Sequence, residues 1–159
     1  VLFWLGLVLY GFALARFDVR QVIEGPGDQW IAGGALAISA LAAAKLISAD
    51  SARLYLWDDD NLGVLRDTAL ALLVLDLSCY VVLLTAEVVR PRPRFDVRRW
   101  STVFPMGMTA TATLSVAAAL GIPWLKRPGQ VLVWISVVVW LAVAAGAVRS
   151  ARAGLRAVR

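Results

Sequence analysis

Histidine is absent from this chain, and cysteine occurs once, as Cys79. The first absence removes the commonest general base and metal ligand. The second leaves no partner for an intrachain disulfide, so cysteine usage does not identify a redox compartment. Charge is also scarce, at 17% of residues, against about 25% in an ordinary soluble domain. No stretch matches a nucleophile elbow, a phosphate loop or a zinc signature. Apolar sequence fills the space instead, with 60% hydrophobic residues and a mean hydropathy of +0.75. The fold class this implies is an all-α integral membrane protein, because apolar blocks alternate with short charged connections.

A spanning helix needs roughly 20 mostly apolar residues. Five blocks reach or approach that length: Val1 to Phe17, Trp30 to Ser48, Val64 to Val89, Trp100 to Leu125 and Gln130 to Val148. Helices are expected over 1–17, 30–48, 64–89, 100–122 and 130–148, with the third and fourth blocks long enough to tilt. These form a transmembrane domain over 1–148, followed by a basic amphipathic tail over 149–159 suited to anionic headgroups. The chain starts at Val1 inside an apolar run, without a positive n-region or a cleavage site. That start does not read as a signal peptide and suggests the carboxyl-terminal part of a longer protein.

The net charge of +5 and the pI near 10.1 invite a nucleic-acid reading. The positions of the basic residues decide against it, since they lie almost wholly in connections and the tail. Arg16 and Arg20 follow the first block, Arg90, Arg92, Arg94, Arg98 and Arg99 follow the third, and Arg149, Arg152, Arg156 and Arg159 end the chain. The other side carries fewer: Lys45, Arg53, Arg66, Lys126 and Arg127. The positive-inside rule makes the first set cytosolic and places the carboxyl terminus in the cytosol of a multi-pass protein of the cell (plasma) membrane.

Local chemistry marks the boundaries. Gly25-Pro26-Gly27-Asp28 breaks the chain before Trp30, which suits an interfacial anchor, and Pro91 and Pro93 stop the third helix. Gly121-Ile122-Pro123 and Pro128-Gly129 bracket a tight turn between the fourth and fifth helices.

The helices differ in dress. The second is rich in Gly33, Gly34, Ala35, Ala37, Ser39 and Ala40, and the fourth carries Gly107, Thr109, Thr111, Thr113 and Ser115. The others are richer in Leu, Val, Trp and Phe. Two small-residue helices inside three bulkier ones fit this pattern; so does close helix packing alone, which small residues also permit.

Arg99-Trp100-Ser101-Thr102-Val103-Phe104-Pro105-Met106-Gly107-Met108 resembles the penultimate helix of the tellurite-resistance/C4-dicarboxylate transporter (TDT) family. This is the superfamily of TehA and the plant slow anion channels. Trp30 to Ala37 is similar to the entry of an inner helix of that family, and Phe95 to Trp100 matches its basic lead-in. The resemblance implies ten transmembrane helices in five hairpins around a central pore, of which this chain supplies the last five as the C-terminal half. It implies pore-lining second and fourth helices, small anions as substrates, no cofactor, a missing N-terminal half or partner chain, and a homotrimer. The substrates would be C4-dicarboxylates such as malate, or inorganic anions, and tellurite resistance would be a phenotype.

The resemblance also makes Phe104 the residue that plugs the pore, because a hydrophobic ring blocks ions by dewetting and by steric closure. The other reading of Phe104 is a ring facing lipid or packed on a neighbour. Pro105 either kinks the helix or occupies its first turn. From Phe104 a helical stripe runs through Met108, Thr111 and Ser115, with Gly107 giving the ring room. Together with Gly33, Gly34, Ala37 and Pro105, these residues are the expected pore lining.

Lys45 either attracts anions or snorkels to headgroups. Asp76, the acid in the middle of a span, is a candidate for proton or polar coupling, or else a member of an interhelical hydrogen bond to Ser or Thr. Glu87 is expected to pair with a loop arginine. Asp58-Asp59-Asp60 suits either a divalent cation in a metal-dependent intramembrane enzyme or a solvated loop. A non-transporting membrane fragment or scaffold that needs a partner half is the remaining functional alternative. The balance of these readings calls for no catalytic residue and no metal.

Overall fold

The computed structural model describes residues 2–16, 29–50, 59–89 and 99–157, all of them helical apart from short turns. The described residues form five α-helices: α1 Leu2–Ala15, α2 Trp30–Asp50, α3 Asp59–Val89, α4 Trp100–Ala119 and α5 Lys126–Ala157, with a 3₁₀ turn at Pro123–Leu125 before α5. Among the described residues, four segments are long and apolar enough to cross a membrane: Trp30–Ala49, Leu62–Val89, Trp100–Ala119 and Pro123–Arg152. The described part of α1 is apolar but shorter. The all-α membrane fold read from composition is therefore the fold of the chain. The breaks expected at Gly25 to Asp28, Pro91 and Pro93 lie outside the described residues, as do Asp58 and the loop arginines Arg20, Arg53, Arg90, Arg92, Arg94 and Arg98.

Consecutive helices alternate in direction. Gly33 near the start of α2 faces Cys79 and Leu83 near the end of α3, whereas Ala43 and Ile47 cluster with Leu65 and Ala69 near its start. Gly34 meets Pro105 near the start of α4, and Lys45 and Ser48 meet Ser115 and Ala118 near its end, so α2 and α4 run parallel. Such a parallel pair has to be connected by a returning span, which is α3. The α5 helix runs back along α4, with Gly129 on Leu114 and Trp140 beside Val103. The α1 helix is tied to α2 by the Tyr10 hydroxyl, which donates to the Ala32 carbonyl at 2.8 Å.

Among the described helices, the α2–α4 contact is the most extensive. Its core is made of small side chains, with Ala37, Ala40, Ala44, Ala112 and Ala117 buried beside Leu36, Leu72, Leu73 and Val116. Small residues let the two backbones approach, and in a bilayer that dispersion contact replaces the hydrophobic drive that lipid cannot supply. The lipid-sized side chains lie outside: Val74, Val81, Val131, Trp134 and Leu141 are all exposed.

Several boundaries differ from expectation, among them the start of α3 at Asp59 rather than near Val64. The fifth helix starts at Lys126, so Pro128 and Gly129 fall within its first turn, where proline sacrifices no helical hydrogen bond. The same helix continues to Ala157, absorbing most of the basic tail, because that stretch is rich in the helix formers Ala, Arg and Leu. The α4 helix ends in a Schellman turn: Gly121 has φ +66°, and the Ile122 amide reaches the Ala117 carbonyl at 2.9 Å.

Trp30 corrects a further expectation. Only 1% of it is exposed, and its ring packs edge-on against Tyr80 at 5.7 Å between centroids. It anchors α2 to α3 rather than to the interface, because the indole finds a protein wall formed by Tyr80, Leu83, Met106 and Leu132.

Candidate functional site

The α4 helix divides into two faces of similar composition and different surroundings. Its inner face carries Thr102, Pro105, Met106, Thr109, Ala112, Thr113 and Val116, all buried against α2, α3 and α5. Its other face carries Phe104 and Thr111, both exposed, with Gly107, Met108 and Ser115 half-buried beside them. These recur every three to four residues, so they form one stripe along the helix.

Pro105 sits beyond the first turn, inside α4. Its ring therefore removes the amide that would bond the Ser101 carbonyl. The ring is seated on Gly34: a Cβ built there would lie 3.1 Å from Pro105 Cγ. Gly34 is thus a close-approach glycine that accommodates the proline. Gly33 faces the other way, toward Cys79 Sγ and Leu83 Cδ1. Ala37 is fully buried in the same seam. Of the residues expected to line a pore, Gly33, Gly34, Ala37 and Pro105 are placed between helices, and Phe104, Gly107, Met108, Thr111 and Ser115 on or next to the open stripe.

Phe104 is 60% exposed among the described helices. One turn on, Gly107 has open space where a Cβ would be. A cleft of about 230 Å³ lies on its α5 side, lined by Val103, Gly107, Ser136, Val137 and Trp140. Farther along the stripe, α2 and α4 separate into a groove of about 260 Å³ lined by Ala44, Lys45, Ser48, Thr111, Leu114, Ser115 and Ala118. Hydroxyls on this stretch are partly committed to the backbone. Thr111 donates to the Gly107 carbonyl at 2.9 Å and Ser48 to the Ala44 carbonyl at 2.9 Å. The groove was not legible as such in the sequence. Lys45 and Ser115 were each singled out, but their meeting depends on the parallel pairing of α2 and α4.

On the inner face, Thr109 donates to Asp76 Oδ1 at 3.1 Å across the α3–α4 contact. Asp76 is fully buried, and its Oδ2 has no protein partner among the described residues. The interhelical hydrogen bond to a threonine is therefore present, on the side of α4 opposite the stripe. Arg99 at the entry of α4 pairs with Glu87 near the end of α3 at 3.1 Å, the pairing expected of that glutamate. Among the described residues, no group of three or more His, Cys, Asp or Glu side chains is placed to hold a metal. Asp59 and Asp60 open α3, and Asp58 lies outside the described residues.

The family model of SLAC1, described as a voltage-dependent anion channel, matches residues 1–148, which covers every helix up to the basic end of α5. No curated protein and no solved structure matches the chain.

Proposed function

This chain belongs to the SLAC1 voltage-dependent anion channel family, and we propose that its open α4 stripe is one sector of an anion pore gated by Phe104. The family is one of channels and transporters rather than of enzymes, and its members act on anions in a lipid bilayer. The observation that carries the finer reading is the contrast across α4. Thr109 and Thr113 are buried by neighbouring helices, while Phe104 and Thr111 are exposed and Gly107 and Ser115 only half-buried on the stripe beside them. A hydroxylated helix face in a membrane needs protein or water opposite it. Further helices, from the same polypeptide or a partner half, complete the ring around that stripe, and three such units associate as a homotrimer.

Conduction follows from the chemistry of the stripe. The Phe104 ring projects into the lumen and closes it by dewetting, because an ion cannot shed its hydration shell against an apolar ring. Rotation of the ring across Gly107 toward the α4–α5 cleft clears the path, since glycine places no side chain in the way. Past the constriction, hydroxyls and a positive field favour small anions, inorganic or C4-dicarboxylate such as malate. Permeation is passive or proton-assisted, with Asp76 as the acid available for proton or polar coupling. The basic end of α5 is cytosolic, and the membrane is the cell membrane.

Phe104→Ala tests the gate. Anion conductance is expected to rise by about tenfold, equivalent to lowering the barrier by about 1.4 kcal/mol. Unchanged flux with normal membrane insertion would refute the assignment.

A further inference from the structure

We infer that the α2–α4 groove is an anion-recruiting site, in which the Lys45 ammonium and the Ser115 hydroxyl hold one inorganic anion or one carboxylate group. The inference rests on the reading of the α4 stripe as pore wall and adds a binding position to it, well past Phe104 along the helix.

Three observations converge. Lys45 and Ser115 line the same groove from two parallel helices, so a cation and a hydroxyl face one space. Its volume of about 260 Å³ compares with about 30 Å³ for one water in the liquid, which leaves room for a partly hydrated nitrate, chloride or carboxylate. Lys45 makes no ion pair among the described residues, and Ser115 makes no hydrogen bond among them. Their donors are therefore available, whereas the Thr111 and Ser48 protons point to backbone carbonyls.

That donor set specifies a weak site. One flexible ammonium and one neutral hydroxyl neutralise a single negative charge without a cage around it. Conduction needs this balance, because an ion must bind well enough to enter and loosely enough to leave. The ammonium is exposed, so its attraction is screened by salt, and the site acts by raising local anion concentration. Chemically it selects against cations and accepts one charged end of a longer dianion at a time.

The test is conductance of the channel-forming protein in neutral phosphatidylcholine bilayers, with chloride or malate as the probe. Lys45→Gln is expected to lower anion conductance about three- to tenfold near 0.01 M salt, where the Debye length is about 30 Å, and to lose nearly all of that effect near 1 M, where it is about 3 Å. Lys45→Arg retains the current, and Ser115→Ala changes the ranking of anions more than the total current. In a Cys79→Ser background, Lys45→Cys treated with an anionic thiol reagent is expected to lose current, because modification puts a negative group in the groove. Unchanged low-salt conductance in Lys45→Gln, or a thiol adduct without effect, overturns the recruiting site while leaving the pore reading intact. A wild-type protein that carries no anion current overturns the pore reading beneath it.

Discussion

The two faces of α4 carry nearly the same chemistry and meet different fates. Thr109 and Thr113 point inward, one bonded to Asp76 and the other to the Thr109 carbonyl at 2.8 Å. Thr111 and Ser115, two residues on from each, face the open side. A two-residue step moves a side chain about 200° around a helix, so alternating small polar residues alternate between seam and stripe. Small hydroxylated residues thus serve two purposes here, close packing on one side and a surface unsuited to lipid on the other. Composition alone does not separate them.

Substitutions that treat the faces unequally sharpen this contrast. The largest stability effect is expected where α2 meets the inner face of α4, from Gly34→Val. Even a Cβ lies 3.1 Å from Pro105 Cγ, and the proline ring is rigid, so overpacking is expected to cost about 1–3 kcal/mol. Thermal unfolding in detergent measures it as a lower Tm. Thr109→Val comes next. It removes the hydroxyl that donates to the buried Asp76 carboxyl, at a cost of about 1 kcal/mol, between the average for a membrane hydrogen bond and that of an orphaned buried group. Asp76→Asn keeps an acceptor for Thr109 and is expected to cost less, which the same melting experiment resolves. Thr111→Ala is the smallest, within about 0.5 kcal/mol, because its hydroxyl bonds only its own helix on an exposed face. Its effect is expected in anion selectivity instead. Equal melting losses for Thr109→Val and Thr111→Ala would erase the distinction between the two faces.

The sorting of helices was readable early. The Gly and Ala run of α2 and the hydroxylated run of α4 set these two apart from the Leu- and Val-rich α3 and α5, and the two do form the most extensive helix pair. Pro105 was ambiguous, because either the first turn or the interior fits a sequence with no clear cap. The observed start at Trp100 makes it interior. Trp30 is not decided by local sequence, since a tryptophan at the edge of an apolar block looks interfacial whether or not a neighbouring helix covers it. Only the approach of Tyr80, fifty residues away, decides that. Asp76 was legible as a costly intramembrane acid, and its partner was legible only as a residue type.

The sequence by itself determined the all-helical membrane class and the placing of the main apolar helices, because the bilayer admits few ways to satisfy a polar backbone in an apolar medium. The tertiary structure decided which face of each helix is used. It paired Gly34 with Pro105 and Thr109 with Asp76, and brought Lys45 to the same groove as Ser115. Those pairings depend on the rotation and axial offset of one helix against another. Such offsets come from summed small contacts between residues far apart in the chain, which no local pattern encodes.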